Sequence, residues 1–267
     1  MPEDAPLPTA APPSEVAVAH CLLDACGTVL SAHDPERPFY AASTIKLHVM
    51  AAILRAVEAG ELGLATELPV TRTFTGSDGA LFTLGGDHLD PTHPADGTPI
   101  MVRELVVRMI DRSSNEATDQ LIEVVGLDAV DAAIAALDLR ATRVERLIGD
   151  TAALEVGATN ETSAGDLAAT MLALVGPSTP ARPGVRLARE ALAAQQIPII
   201  ATVLRPGVPW GSKSGWVDGY RHDVAVVGDP DEPGVRVLAV MTAGLAPEEA
   251  DRRITALVRE LLPDVSA

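Results

Sequence analysis

The stretch Ser43-Thr44-Ile45-Lys46-Leu47-His48-Val49-Met50-Ala51-Ala52-Ile53-Leu54 is where the chain changes its period. Ile45, Val49, Met50, Ile53 and Leu54 recur at the spacing of a helix, and Gly60 stops the run. Upstream the period is two. Val16, Val18, His20 and Leu22 alternate with Ala17, Ala19 and Cys21, Asp24-Ala25-Cys26-Gly27 supplies a turn, and Thr28 to Ala32 returns. Glu15 to Asp34 therefore reads as a β-hairpin. Downstream, Thr71 to Pro99 is rich in Gly, Asp, Pro and Thr and reads as an irregular loop. Helical patterns follow over Val102 to Asp111, Asn115 to Val125, Asp128 to Leu137, Leu167 to Val175 and Val185 to Gln196. Ser163 caps the fourth, with Asp166 in its first turn. Strand patterns over His222 to Val227 and Val235 to Thr242 flank the turn-rich Gly228 to Gly234. Pro247 to Leu262 closes the chain as an amphipathic helix.

Strands at both ends with helices between them imply an α+β fold. The expected plan is an antiparallel sheet of roughly five strands drawn from both chain ends, flanked by the first and last helices, with an inserted all-helical lobe. The boundaries are a disordered lead-in over 1–14, an α/β lobe over 15–42 and 185–267, and a helical lobe over 43–184, forming one compact unit.

Composition narrows the function. The chain has 267 residues, 47% hydrophobic and 21% charged, which is ordinary for a globular protein. Its net charge of −17 repels phosphate backbones and anionic lipid, so neither nucleic acid nor membrane is an expected partner. Cys21 and Cys26 are too few for a disulfide scaffold and lack the companions of a zinc site. His88 and His93 share a polar loop without further ligands at suitable spacing, so no metal and no cofactor is expected. The first fifteen residues have no basic region and no apolar core. They do not read as an export signal, which points to the cytoplasm, or to a periplasmic or secreted protein if a signal has been trimmed.

Three short clusters carry chemistry. In Ser43-Thr44-Ile45-Lys46 the serine opens the helix and the lysine lies one turn on, on the same face. A buried lysine with a lowered pKa can take the proton of a serine hydroxyl. By itself the cluster also reads as an N-cap and a surface lysine. Ser113-Ser114-Asn115 sits at a break between two helices, where a capping turn is the plain reading. Lys213-Ser214-Gly215 reads as an edge-strand fragment whose glycine lets another backbone approach.

In this order the clusters match the three-box signature of class A β-lactamases and penicillin-binding proteins. The chain resembles that family from about Glu15 to Leu262, with Thr71 to Pro99 the most divergent part. Trp216-Val217-Asp218-Gly219-Tyr220-Arg221-His222-Asp223 also resembles a run shared by the less defined β-lactamase-related serine hydrolases. Three departures stand out. Ser114 replaces the usual Asp, and Ser214 the commoner Thr. In the run Thr142-Arg143-Val144-Glu145-Arg146-Leu147-Ile148-Gly149-Asp150, the position of the glutamate that activates the deacylating water falls on Ile148. Glu145 matches a structural acid, and Asp150, two residues displaced, is the possible deacylation base.

The resemblance implies roles. Ser43 is the expected nucleophile, Lys46 the acylation base, Ser113 the proton relay to the leaving nitrogen, and Lys213 the cation that maintains the relay and attracts an anionic substrate. Ser43 and Trp216 would supply backbone N–H groups to an oxyanion hole. Asn115 would bind the substrate's amide side chain, and Ser214 and Arg221 its carboxylate. Trp210 and Trp216 are either cleft wall or junction filler. His222 and Asp223 read as a hydrogen-bonded structural pair or, alternatively, as catalytic groups.

Three functions follow. The first is a β-lactamase-type serine hydrolase working through an acyl-enzyme on a small-molecule or peptide-like amide, with slow deacylation if no base reaches the water. The second is a D,D-peptidase-like enzyme or esterase of the same fold. The third is a non-catalytic penicillin-binding-like module. The sequence leaves the natural substrate and the oligomeric state open.

Overall fold

The computed structural model describes residues 13–86, 89–179 and 182–267. Most of the expected lead-in, and His88, lie outside them. The fold is α+β. Five antiparallel strands form the main sheet: β1 (Ala17–Leu23), β2 (Val29–His33), β3 (Trp210–Val217), β4 (Tyr220–Val227) and β5 (Arg236–Ala243), in the order β3-β4-β5-β1-β2. Sequence ends meet in the middle, because β1 pairs with β5 from Ala17 opposite Ala243 to Leu23 opposite Val237. The hairpin turn between β1 and β2 is built by Asp24. Its Oδ1 accepts the N–H of Cys26 and of Thr28, both at 2.8 Å, while Gly27 takes the left-handed conformation.

The helices are α1 (Lys46–Glu58), α2 (Val102–Asp111), α3 (Asn115–Val125), α4 (Leu127–Ala136), α5 (Thr151–Glu155), α6 (Ala164–Val175), α7 (Pro183–Ala193) and α8 (Pro247–Leu261). Side-chain alternation along β5 splits the core in two. Val237, Ala239, Met241 and Ala243 face the large cluster that includes α1, α2 and α6, whereas Leu238 and Val240 face Ile254, Val258 and Leu262 at α8.

The structure corrects one packing expectation. The large-core face of the sheet lies against α6, not α1. Helix α1 is buried over every residue from Lys46 to Leu54, and a helix apolar all round must be enclosed. It runs through the helical region among α3, α4, α6 and α7. A second correction concerns Thr71 to Pro99, which is not wholly irregular. Thr73–Thr75 and Leu81–Thr83 pair as a short hairpin with Phe74 and Phe82 in ring contact at 6.0 Å. Its turn is fixed by left-handed Gly79 and by the Ala80 N–H donating to Asp78. Among the described residues no helix is long and apolar enough to cross a membrane.

Candidate active site

Ser43 lies in a single 3₁₀ turn, Ala42–Ile45, that runs directly into α1 at Lys46. It is not a helix cap: the capping positions are Ala41 and Ile45, without side-chain cap bonds. The hydroxyl instead meets Lys46 Nζ at 3.2 Å. Ser113 occupies the break between α2 and α3 at φ +61°, a left-handed conformation that costs a non-glycine residue roughly 1–2 kcal/mol. That turn aims both of its oxygens at Lys46, the carbonyl at 2.6 Å and Oγ at 3.0 Å. Ser114 does the capping, with Oγ accepting the Ala117 N–H at 3.2 Å and donating to Glu116 at 2.9 Å. Asn115 turns Oδ1 to Lys46 at 2.8 Å.

Lys213 arrives from edge strand β3 and reaches Ser113 Oγ at 3.1 Å and the Ser214 carbonyl at 2.6 Å. Two lysines thus converge on one serine hydroxyl, both fully buried. Gly215 makes the approach of β3 possible, because a Cβ there would stand 2.8 Å from both Ser43 N and Thr44 N. The resulting cleft of about 250 Å³ is lined by Ser43, Ser113, Asn115, Ser214 and Trp216, with Ile148 on its wall. Trp216 is 38% exposed there, whereas Trp210 is not among the lining residues.

The electrostatics follow from burial. Lys46 is held well below an ordinary lysine by desolvation and by the neighbouring charge of Lys213, with Asp119 and Glu116 pulling the other way. Lys213 is lowered to about 7 by desolvation, opposed by Asp223 and Asp111. The hydrogen-bond pattern accommodates a neutral Lys46. The Ser113 carbonyl and Asn115 Oδ1 can only accept, so they take two N–H groups. A neutral amine then has its lone pair left to accept a hydroxyl proton from Ser43 or Ser113.

Two sequence-derived assignments do not fit the geometry. Arg221 is absent from the cleft lining; its Nε and Nη2 engage the two carboxylate oxygens of Asp251 on α8, a bidentate pair that commits this edge of the guanidinium to a protein carboxylate. Asp150 also turns away. It caps α5 by accepting the Ala153 N–H at 3.0 Å and holds the Ser77 N–H at 2.8 Å, so its carboxylate binds two segments of chain together. Glu145 has a structural bond of its own, accepting the Thr159 N–H at 2.8 Å.

His222 and Asp223 are not bonded to each other. His222 Nδ1 accepts the Thr242 N–H at 3.2 Å, leaving Nε2 to donate to the Tyr40 carbonyl at 2.9 Å; burial lowers the ring to about 4. Asp223 accepts the N–H groups of Ile199 and Ile200, both at 2.8 Å, and burial raises it to about 6. It bears on the site electrostatically, through Lys213. His93 is buried with both ring nitrogens unpartnered, and among the described residues no group of three His, Cys, Asp or Glu side chains is placed to hold a metal.

Sequence reasoning missed Asp119. Its Oδ1 accepts the Ile148 N–H at 2.8 Å, its Oδ2 is buried without a partner, and desolvation holds the carboxyl well above its usual range. The signal was available: Asp119 follows Asn115 by one helical turn, on the same face. Tyr40, Arg112 and Arg146 also line the cleft, and none was marked as a site residue by the motifs.

Comparison with known proteins agrees with this architecture. A family model described as the beta-lactamase enzyme family matches residues 17–263. No curated protein sequence matches. Among solved structures, a beta-lactamase from Sphaerobacter thermophilus DSM 20745 superposes with a TM-score of 0.76 at 28% identity, covering 92% of this chain and 90% of that one. A beta lactamase from Xanthomonas campestris pv. campestris str. ATCC 33913 gives 0.77 at 21% identity, over 93% and 91%. The protein PBP-A gives 0.76 at 20% identity, over 95% and 92%. With three motif clusters brought together in one cleft and a family match spanning nearly the whole described chain, the protein belongs to the beta-lactamase enzyme family.

Proposed function

We propose that this protein is a serine hydrolase that forms an acyl-enzyme on Ser43 with β-lactams or related amides and releases it slowly. The observation that carries the reading is the bonding around Lys46 Nζ, where two acceptor-only oxygens leave a neutral amine one lone pair for a hydroxyl proton. In acylation Ser43 Oγ attacks the amide carbonyl while its proton passes to Lys46. Collapse of the tetrahedral intermediate breaks the carbon–nitrogen bond, and the leaving nitrogen takes the Ser113 proton. Lys46 then returns a proton to Ser113, so the amine ends neutral. Backbone N–H groups of Ser43 and Trp216 would hold the oxyanion, a donor of this kind being worth roughly 2.7–4 kcal/mol in other serine hydrolases. Lys213 and Ser214 would receive the substrate's carboxylate, and the Asn115 amide nitrogen its amide carbonyl.

Release needs a base for water. Ile148 lines the cleft where related enzymes place a glutamate, and Asp150 is committed to its cap. This observation also favours the second reading, a peptidase-like or esterase activity in which a penicillin acts as a persistent label.

The test is an intact-mass time course with benzylpenicillin. One adduct should form, map to Ser43, and outlast removal of free drug. Ser43→Ala should not be labelled, and Lys46→Met should label roughly 10²–10⁴-fold more slowly, the usual worth of a positioned base. Turnover of p-nitrophenyl esters alongside a persistent penicillin adduct supports the esterase or peptidase reading. No adduct from penicillin, cephalosporin or activated ester would overturn the proposal in favour of a binding module.

A further inference from the structure

Arg146 is a buried cation with no matching anion among the described residues. It is 2% exposed. Among the described residues no carboxylate lies within ion-pair distance of it, whereas the neighbouring Arg112 is gripped by Asp111 through two bonds of 2.9 and 2.8 Å, and Arg143 pairs with Glu145 and Glu161. Buried charges are ordinarily paired, because an isolated one keeps none of its hydration. A guanidinium has five N–H donors. Here Nη1 donates to the Leu147 carbonyl at 3.2 Å and Nη2 to the Tyr40 hydroxyl at 3.0 Å, while Nε is buried with no acceptor.

The surroundings explain why the charge stays unmatched. Asn160 clamps the Arg146 backbone from both sides: its Oδ1 accepts the Arg146 N–H at 3.3 Å and its Nδ2 donates to the Arg146 carbonyl at 3.1 Å. An amide at this position contributes bonds but no negative charge. Asp119 feels the guanidinium electrostatically, yet it is not in contact with it, and burial pushes its carboxyl up toward the neutral form.

A second observation points the same way. Tyr40 accepts from Arg146, so its own O–H proton must be directed elsewhere, and no described residue accepts it. The guanidinium also lies 6.0 Å from the Tyr40 ring centroid, holding the ring in place. Both residues line the cleft that contains Ser43. The cleft wall thus carries a tyrosine hydroxyl polarised by a cation, with spare N–H donors behind it.

We propose that Arg146 and the Tyr40 hydroxyl form an anion subsite of this cleft that takes a carboxylate carried on the side arm of the substrate. The identity of the scaffold bearing that carboxylate rests on the acyl-enzyme reading; the anion itself does not. The subsite is separate from the carboxylate grip assigned to Lys213 and Ser214, so the preferred substrate is a dianion.

Benzylpenicillin and carbenicillin provide a matched pair, differing only in a side-arm carboxylate. Their Ser43 acylation rates are measured by intact mass, and the ratio of carbenicillin to benzylpenicillin is compared between variants. That ratio should fall by about tenfold or more in Arg146→Gln, fall partly in Tyr40→Phe, and be largely kept in Arg146→Lys, as expected for loss of a charge-assisted hydrogen bond. Phenylmalonate, the free side-arm acid, should raise the melting temperature of the native chain saturably and that of Arg146→Gln much less. An unchanged ratio in both Arg146→Gln and Tyr40→Phe, or a phenylmalonate shift equal in native protein and Arg146→Gln, overturns the subsite. If neither penicillin labels the protein but phenylmalonate binding depends on Arg146, the hydrolase reading fails and the subsite stands. If Arg146→Gln does not fold, Tyr40→Phe and Arg146→Lys carry the comparison.

Discussion

Asp119 holds Ile148 from beneath: the aspartate on α3 accepts the Ile148 backbone N–H at 2.8 Å, and the isoleucine side chain faces the cleft. The wall segment is therefore anchored by its backbone, and its side chain can be exchanged without loss of that anchor. An apolar residue there offers water no base. Ile148→Glu should shorten the lifetime of a benzylpenicillin adduct by roughly 10²-fold or more, at the lower end of what a positioned general base contributes. The measurement is decay of the adduct mass after free drug is removed. An unchanged lifetime would show that the side chain at 148 does not limit release.

The two lysines give acylation a pH window. Lys46 must be neutral to accept the Ser43 proton, so rates should fall on the acid side. Lys213, lowered to about 7 by burial, carries its charge below that pH and loses it above. Acylation by an anionic penicillin should therefore decline as pH rises through about 7. Lys213→Arg keeps a cation across the range, and should move the alkaline limb upward. Initial labelling rates between about pH 5 and 9 test this; an alkaline limb that Lys213→Arg leaves in place assigns it to another group.

Gly215 and Ser43 are in backbone contact. Gly215→Ala would place a methyl group 2.8 Å from two main-chain nitrogens, which cannot rotate away as a side chain could. The strand must retreat, at a cost of about 1–3 kcal/mol typical of overpacking. Labelling of Ser43 should drop far more than the melting temperature does. Equal labelling with native protein would mean that the close approach of β3 is not needed for the chemistry.

Asp150 separates capping from catalysis. Asp150→Ala removes the acceptor for Ala153 and for Ser77, and should lower stability by about 1–2 kcal/mol. For a chain of this size that is a fall of roughly 2–8 °C in melting temperature. Adduct lifetime should not change. A lengthened lifetime would restore Asp150 as the group acting on water.

Much of the scaffold was legible in local pattern. The helices at Val102–Asp111 and Asn115–Val125 start and stop where their apolar spacing and flanking residues say they should, because each is specified by its own amphipathic face. Ser163 was readable as a cap because its oxygen meets an N–H three residues away, at Asp166. The sheet partners of β1 were less direct. Its pairing with β5 joins segments from opposite ends of the chain, and only the distribution of strands at both termini hinted at it.

The chain's order of residues determined by itself that Ser43 and Lys46 share a helical face and that helices separate two groups of strands; that Ile148 falls where an acid is expected comes only from the family resemblance. Tertiary packing alone decided that Lys46 is held below an ordinary lysine, through burial and the arrival of Lys213 from β3. It also decided that Arg221 belongs to Asp251, that Asp150 belongs to a helix end, and that Arg146 is buried with no anion beside it among the described residues. The physical reason is range. Capping and periodicity act over a few residues along the chain, whereas desolvation and charge pairing act through space, between groups whose separation in sequence carries no information.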